Sequence, residues 1–544
     1  METVIPITSW QQDIVGECLM KQSGGLCLPL GGGKTIVSIT VSLLQNNGKM
    51  ILIVVSKTLI PNWVNEIDKF YGGKLKYEIL HKDYLKSLLS KWKPQEDTIV
   101  ILTTPETLSK AYMNNNLSKV LIDKKIINEA IVTNYYICPT KPLLREGEGI
   151  DNLYKIEWSG LIVDEIAEHN NIKTNKCQAL IAICAKNRWG LSGKMFPEPV
   201  SERILGYYMI LHLNGPNNLP EMKEYISDTG FQGLNHTMVK RYDNPEFKQP
   251  KVNQKIIKHE LSEEETKIYL MMKSILIDLT KKTGELKRRG DTNGVKKFSA
   301  YCLVLLKHLR QSMVCSLIPI TNVIVDVLDC EAKSELSKIL NDTINELHLD
   351  DWLNDPESIK STRICEILKQ IEMYKDKKIL VYSNFKSCLD VIKLYLDKYN
   401  VFTIDSDMNL QKRQEVLTRF NQASSGVFCL TYKIGANGLN LQTGNVVILA
   451  DLYWNHDTES QAEARIFRPG QLASEIVLIS FTSNTGLEKA ILERQESKLI
   501  VANELSNGST NRKFKKINMK EVIKIISSDD NEFLIKQVKN YKSC

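Results

Sequence analysis

The chain has 544 residues, 43% hydrophobic and 25% charged, with a net charge of +7. Length predicts ~3 or 4 domains, and the composition is that of a globular protein, which excludes the disordered and fibrous classes. No apolar run reaches the ~18 residues a bilayer span requires, and "METVIPITSWQQD" has neither the basic flank nor the apolar core of a signal peptide, so an intracellular protein without a membrane partner is expected.

In chain order, an apolar stretch at Leu26–Leu30 runs into "GGGKT" (31–35) and then into "IVSITVSLL", whose apolar positions suit a buried helix. Short β-branched runs follow at 50–56, 98–104, 160–165 and 188–193. After a gap, others stand at 377–383, 401–406, 426–431, 445–451 and 475–481. Each is nearly continuous in hydrophobicity rather than alternating, which predicts strands buried on both faces, hence parallel sheets covered by helices. Two clusters of strands imply two α/β domains. From about 245 to about 355 the apolar spacing is helical, as in "LSEEETKIYLMMKSILIDLTKK", and Ser262 with Glu265 forms a capping box. The last ~40 residues are polar and then weakly helical.

The twelve cysteines are scattered without a Cys-x-x-Cys pair, so neither a zinc site nor a disulfide framework is indicated. The positive charge permits a polyanionic partner without demanding one. The basic clusters "KKTGELKRRG" (281–290) and "NRKFKKINMK" (511–520) read first as solvated surface.

Three segments carry chemistry. "GGGKT" between a strand and a helix is the context of a phosphate-binding loop, although Leu28 stands where the common Gly-x-x-x-x-Gly-Lys-Ser/Thr form has glycine. Backbone N–H groups and a helix N-terminus would meet the phosphates, Lys34 would reach the β- and γ-phosphates, and Thr35 would ligate Mg²⁺. "GLIVDEIAEHN" ends a buried strand in Asp164-Glu165, where Asp164 could hold Mg²⁺ and Glu165 orient or deprotonate the attacking water. "QAEARIFRPGQ" (461–471) places Arg465 and Arg468 three apart, on one helix face, as candidate arginine fingers.

The order of these segments resembles the SWI/SNF-like ATPases of helicase superfamily two, from about residue 7 to about residue 500. "ITSWQQDIV", "GLCLPLGGGKT", "ILIVVSKTLIPNWVNEIDKF", "ILTTPET", "LIVDEIAEHNNIKTNKCQAL" and "RWGLSGK" match the first half in order. "HELSEEETKIYL" and "LLKHLRQSMVCS" are similar to the helical protrusions of that family. "KKILVYSNFKSCLDVI", "VFCLTYKIGANGLNLQTGNVVILADLYWN" and "QAEARIFRPGQ" match the second half. The resemblance implies an α/β fold of two RecA-like parallel-sheet lobes with a helical insertion between them: lobe one at 1–245, protrusions and linker at 246–355, lobe two at 356–505 and a tail at 506–544. It implies a DNA-dependent ATPase with ATP and Mg²⁺ as cofactors. Gln11 reads the adenine; Gly31, Gly33, Lys34 and Thr35 bind phosphate and metal; Asp164 and Glu165 are catalytic; and Gly438, Gln461, Arg465 and Arg468 complete the site. Thr103, Thr104, Ser383, Thr431 and Trp454 are the implied DNA contacts.

Four places depart from the family pattern: Leu28-Pro29-Leu30 replaces an acidic pair, Ala167 a histidine, Gly193-Lys194-Met195 a Gly-Thr-Pro run, and Tyr432 a threonine. The hydrolytic positions survive, which directs attention to coupling rather than hydrolysis. The reading that follows is a monomeric double-stranded DNA translocase. A non-cycling scaffold and a strand-separating DNA or RNA helicase are its alternatives. The nearly bare motor, rich in Lys, Ile and Asn, also resembles the compact helicases of large nucleocytoplasmic DNA viruses. That implies a viral protein working in an infected cell or virion, with RNA polymerase or another nucleoprotein complex as partner in transcription.

Overall fold

The computed structural model describes residues 5–117, 139–318 and 361–507 with short gaps, together with 525–526; Leu30, Lys194, Gly438 and Arg468 lie outside the described residues. The chain divides into two units, one over Met1–Lys248 with Lys498–Phe514 and the other over Gln249–Ser497 with Lys515–Cys544. Among the described residues, no helix is long and apolar enough to cross a membrane.

The first unit runs α1 (Ser9–Leu19), β1 (Gly24–Cys27), α2 (Lys34–Asn46), β2 (Ile51–Val54), α3 (Ile60–Tyr71), β3 (Tyr77–Leu80), β4 (Val100–Thr103) and α4 (Pro105–Asn114), then β5 (Trp158–Val163), α5 (Ile166–His169), α6 (Asn175–Ile181), β6 (Ala185–Ser192), α7 (Ser201–Ile210), α8 (Leu219–Thr229) and β7 (Met238–Lys240). Its seven strands lie in the order β3-β4-β2-β5-β6-β1-β7, and every pairing is parallel. Alternation of side chains divides each central strand between two cores. Leu52, Val54, Leu161 and Val163 pack on one face with α4, α6 and α7. Ile51, Ile53, Ile162 and Leu191 pack on the other with α1, α2 and α3. Each fully buried aliphatic side chain is worth about 1.5–3 kcal/mol, so both faces of the sheet are held closed.

The second unit runs β8 (Lys251–His259), α9 (Glu263–Arg288), α10 (Thr292–Ser312), α11 (Thr362–Met373), β9 (Lys378–Ser383), α12 (Lys386–Leu394), β10 (Val401–Thr403) and α13 (Leu410–Gln422), then β11 (Gly426–Thr431), α14 (Tyr432–Ala436), β12 (Val446–Leu449), α15 (His456–Glu463), β13 (Glu475–Ser483) and α16 (Gly486–Asn507). Its six strands, in the order β10-β11-β9-β12-β13-β8, are also all parallel. The expected two parallel α/β sheets with a helical segment between them are present. The Ser262–Glu265 capping box forms as expected, and Glu265 also accepts hydrogen bonds from the Thr362 N–H at 3.2 Å and hydroxyl at 2.7 Å. One buried carboxylate thereby ties the start of α9 to the start of α11. Arg363 and Glu488, both buried, form a two-pronged pair at 2.7 and 2.9 Å that joins α11 to α16.

One element differs from the helical reading of 245–355: Lys251–His259 form the edge strand β8. Residues along β8 are exposed or half-buried throughout. An edge strand pairs on one side only, so "KVNQKIIKH" carries none of the continuous hydrophobicity that marks the interior strands. The short edge strands β3 and β7 escaped the sequence pattern too.

Candidate nucleotide-binding site

The glycine loop joins β1 to α2. Gly31 and Gly33 take φ values of 76° and 75°, a left-handed conformation that favours residues without a Cβ. The Gly32 N–H donates to the Pro29 carbonyl at 3.0 Å, and α2 begins at Lys34. The first N–H groups of α2 have no acceptor within the helix, and with the helix dipole they favour an anion at the loop. Helix α1 packs against the same loop. A Cβ at Gly33 would fall 2.3 Å from Gln11 Nε2, and one at Gly32 would fall 3.2 Å from the Trp10 ring. The other end of the Gln11 amide is committed, because its Oε1 accepts from the Thr8 N–H at 3.1 Å in the cap of α1.

Lys34 Nζ is buried and has no hydrogen-bond partner among the described residues. It lies beside Gly193, whose Cβ, if present, would be 3.7 Å away. An ammonium group shielded from water without an acceptor is costly, so the cradle fits a phosphate. Thr35 follows in the first turn of α2, half-buried.

At the end of β5, Asp164 Oδ2 accepts from the Trp63 indole N–H at 2.9 Å and Oδ1 from the Glu165 N–H at 3.0 Å. Burial, and next the charge of Glu165, push Asp164 up from the usual carboxylate range to about 6, against the Trp63 hydrogen bond and the Lys34 charge. Glu165 has φ 46° and ψ 49°, a left-handed backbone that costs a non-glycine residue roughly 1–2 kcal/mol. Its Oε2 accepts from the Ser192 hydroxyl at 3.2 Å, at the end of β6. The loop, the lysine and the two carboxylates that the sequence singled out thus occupy the C-terminal ends of neighbouring strands β1, β5 and β6. Trp63 and Ser192 are additions. Both lay inside recognised segments, but nothing in their spacing marked which side chain would touch a carboxylate.

In the second unit, Gln461 is half-buried on α15, and Arg465, just past its end, is 7% exposed. The candidates Gly438 and Arg468 lie outside the described residues. Tyr432, where the family pattern has threonine, is fully buried; its hydroxyl donates to the Asp451 carbonyl at 2.6 Å and its ring stacks on Tyr382 at 5.8 Å. The departure is a packed core contact, not a gap.

Of the implied DNA contacts, three have inward-facing hydroxyls. Thr103 Oγ1 donates to the Leu80 carbonyl at 3.0 Å, Ser383 Oγ donates to Asp451 Oδ2 at 2.6 Å, and Thr104 Oγ1 accepts from the Thr107 N–H at 3.2 Å to cap α4. All three residues are fully buried. In this structure each of these hydroxyls is engaged at a strand end by a partner within the protein. Thr431 is half-buried and caps α14, its Oγ1 accepting from the Ile434 N–H at 3.4 Å.

Trp454 is half-buried and held by two cations. The Arg310 guanidinium lies 5.6 Å and the Arg494 guanidinium 5.5 Å from its ring. Arg310 reaches from α10 into a cage that also includes Phe385 at 5.1 Å and Tyr453 at 5.9 Å, and it donates to the Leu452 carbonyl at 3.1 Å. Asp451 is the adjacent counter-charge. Burial pushes it up to about 6, while Arg310 and the Ser383 and Asn384 hydrogen bonds pull it back. Nothing in the sequence pattern linked "HLRQS" to "ADLYWN".

Two parallel-sheet units, the first bearing a glycine loop, a buried lysine and a carboxylate pair at its strand ends, define the class of helicase-like nucleoside triphosphatases. The chain belongs to the SNF2-related family, whose members are DNA-dependent ATPases: the SNF2-related domain matches residues 15–315, more than half of the chain. The helicase conserved C-terminal domain matches residues 359–470. The helicase-like protein 172L of Invertebrate iridescent virus 6 is 24% identical over 523 residues, covering 87% of this chain and 83% of that protein. The DNA repair and recombination protein RAD26 of Saccharomyces cerevisiae is 22% identical over 90% of this chain, which spans 45% of RAD26. The Pyrococcus furiosus Hef helicase domain shares the fold with a TM-score of 0.50 and 14% identity, over 91% of this chain and 99% of that one.

Proposed function

We propose that the chain is an ATP-driven translocase on double-stranded DNA, hydrolysing ATP to ADP and phosphate. The observation that carries this reading is Lys34 Nζ, buried without a hydrogen-bond partner among the described residues, at a glycine loop whose neighbouring strand ends bear Asp164 and Glu165. In this reading Lys34 and the loop N–H groups bind the β- and γ-phosphates, and Gln11 holds the base side of the site. Thr35 and Asp164 would hold Mg²⁺, which supplies charge neutralisation at the phosphates when bound. Glu165, aimed by its left-handed backbone and by Ser192, orients water and accepts its proton. Arg465 and Arg468, with Gly438 and Gln461, are the proposed second-unit residues that answer charge developing on the γ-phosphate.

DNA is proposed to be tracked through its backbone, independent of sequence and sensitive to salt, with Trp454 and Thr431 among the contacts. Similarity to the iridescent-virus protein supports a viral motor, and we propose that it acts in an infected cell on a nucleoprotein complex such as a transcribing RNA polymerase. The test is ATPase activity with duplex DNA, single-stranded DNA and RNA compared side by side. Duplex DNA is expected to stimulate turnover most, and Lys34→Ala to abolish it. Wild-type turnover indifferent to every nucleic acid would refute the proposal and favour a scaffold, and strand displacement would favour an unwinding helicase.

A further inference from the structure

We propose that the tip of the α9–α10 hairpin is an accessory contact for duplex DNA phosphates, separate from the residues implied in tracking. Residues 281–297 contain seven Lys or Arg and two acidic residues, a net of +5, where the whole chain carries +7. This segment is one of two strongly basic clusters in the chain, the other being 511–520.

The segment at 281–297 is a projecting finger. The buried residues of α9 end at Leu276 and those of α10 begin at Cys302, where both helices join a core with Leu452, Leu487 and Ile491. Beyond Leu276, α9 continues for twelve residues, about 18 Å at 1.5 Å per residue, packed on α10. The finger is nevertheless ordered to its end. Lys282 lies 4.8 Å over the Phe298 ring, Phe298 packs edge-on against Tyr301 at 5.6 Å, and Asp291 caps α10 by accepting from the Gly294 N–H at 2.8 Å.

The tip charges are not consumed by the fold. Lys282, Lys287, Arg288, Arg289, Lys296 and Lys297 are exposed and make no ion pair within 4.0 Å among the described residues; only Lys281 does, with Asp278. Lys287 and Arg288 stand in the last turn of α9, where the helix dipole favours cations, whereas Lys296 and Lys297 stand past the first turn of α10 and gain nothing from its dipole.

The surface chemistry selects the kind of partner. No large apolar side chain is exposed between 281 and 297, whereas protein interfaces are built around an apolar or aromatic centre. Clustered cations on two helix ends suit a phosphate backbone, read without regard to sequence. The inference rests on the translocase reading only in taking duplex DNA as the partner.

The experiment uses the full chain with Lys287→Gln, Arg288→Gln and Arg289→Gln combined, and separately with Lys296→Gln and Lys297→Gln. Binding to a fluorescent duplex is measured by anisotropy across a salt series, alongside ATPase at saturating duplex. The triple variant is expected to weaken binding about tenfold and to reduce the slope of log affinity against log salt by roughly 2–3, with ATPase at saturating DNA unchanged. The double variant, whose substitutions lie on the other helix, is expected to shift both readings the same way. Affinity and slope equal to wild type in both variants would overturn the proposal, as would loss of binding only to a poly-glutamate peptide, which would mark an acidic protein surface as the partner. Failure of duplex DNA to stimulate wild-type ATPase would instead count against the translocase reading, and is read separately from the binding curves.

Discussion

Replacing Arg310 by methionine tests whether the cage around Trp454 holds the second unit's strand ends in place. The guanidinium stacks on Phe385, Tyr453 and Trp454 at 5.1, 5.9 and 5.6 Å and hydrogen-bonds the Leu452 carbonyl at 3.1 Å. A desolvated cation–π contact contributes about 1 kcal/mol and a net hydrogen bond a similar amount, while removing one partner of a buried charge costs roughly 3–5 kcal/mol. Asp451 is 3% exposed and would lose the neighbour that most favours its ionised form. Methionine restores part of the packing, so a loss of about 3 kcal/mol is expected, or roughly 6–12 °C in the melting of a unit this size. Arg310→Lys, which keeps the charge but not the planar stack, should fall between. The assay is calorimetry of the full chain, with duplex-stimulated ATPase measured on the same samples. Misplacing Trp454 should raise the DNA concentration for half-maximal stimulation while leaving DNA-free turnover nearly unchanged. Melting within about 1 °C of wild type, or equal loss of DNA-free and DNA-stimulated turnover, would refute the reasoning.

Two further outcomes follow from the nucleotide site. Asp164 must be ionised to hold a metal, and its folded value of about 6 lies above the usual carboxylate range; the acid limb of kcat/KM is therefore expected near pH 6. Trp63→Phe removes a hydrogen bond that lowers this value, so the limb should move to higher pH, and an unmoved limb would disprove the assignment. The same raised value means that this carboxyl favours the folded state fully below its unfolded value, and that this contribution is lost as pH rises through about 6, so the charge needed for metal binding is held at the expense of stability. Gly33→Ala would drive a Cβ to 2.3 Å from Gln11 Nε2 at a φ of +75°; fluorescent-nucleotide affinity should drop at least tenfold, about 1.4 kcal/mol, and unchanged affinity would show that the loop is not the cradle.

Much of the fold was legible because interior parallel strands must be apolar on both faces. "ILIVV" or "GVFCLT" therefore announces a covered strand wherever it occurs. β3, β7 and β8 were not legible, since an edge strand needs fewer apolar residues and its pairing is decided by a distant neighbour; β8 pairs with β13, more than two hundred residues further on. The loop, Lys34, Asp164 and Glu165 were readable for a related reason. Their chemistry fixes residue types at short spacing on consecutive backbone, at strand-to-helix junctions that the pattern locates.

What hydroxyls and aromatic rings do at those junctions was decided only by the tertiary structure. Thr103, Thr104 and Ser383 occupy strand ends as the sequence implied, yet each turns inward, because a buried hydroxyl takes the nearest free acceptor or donor and that partner comes from another segment. Arg310 meets the Leu452 carbonyl across a separation of 142 residues, and Trp454 beside it, a coincidence that no local spacing encodes. The sequence by itself determined which residues could do the chemistry and which strands would be covered. Folding determined which of them face one another, since contacts between distant segments depend on how whole helices pack against the sheets rather than on any residue's own preference.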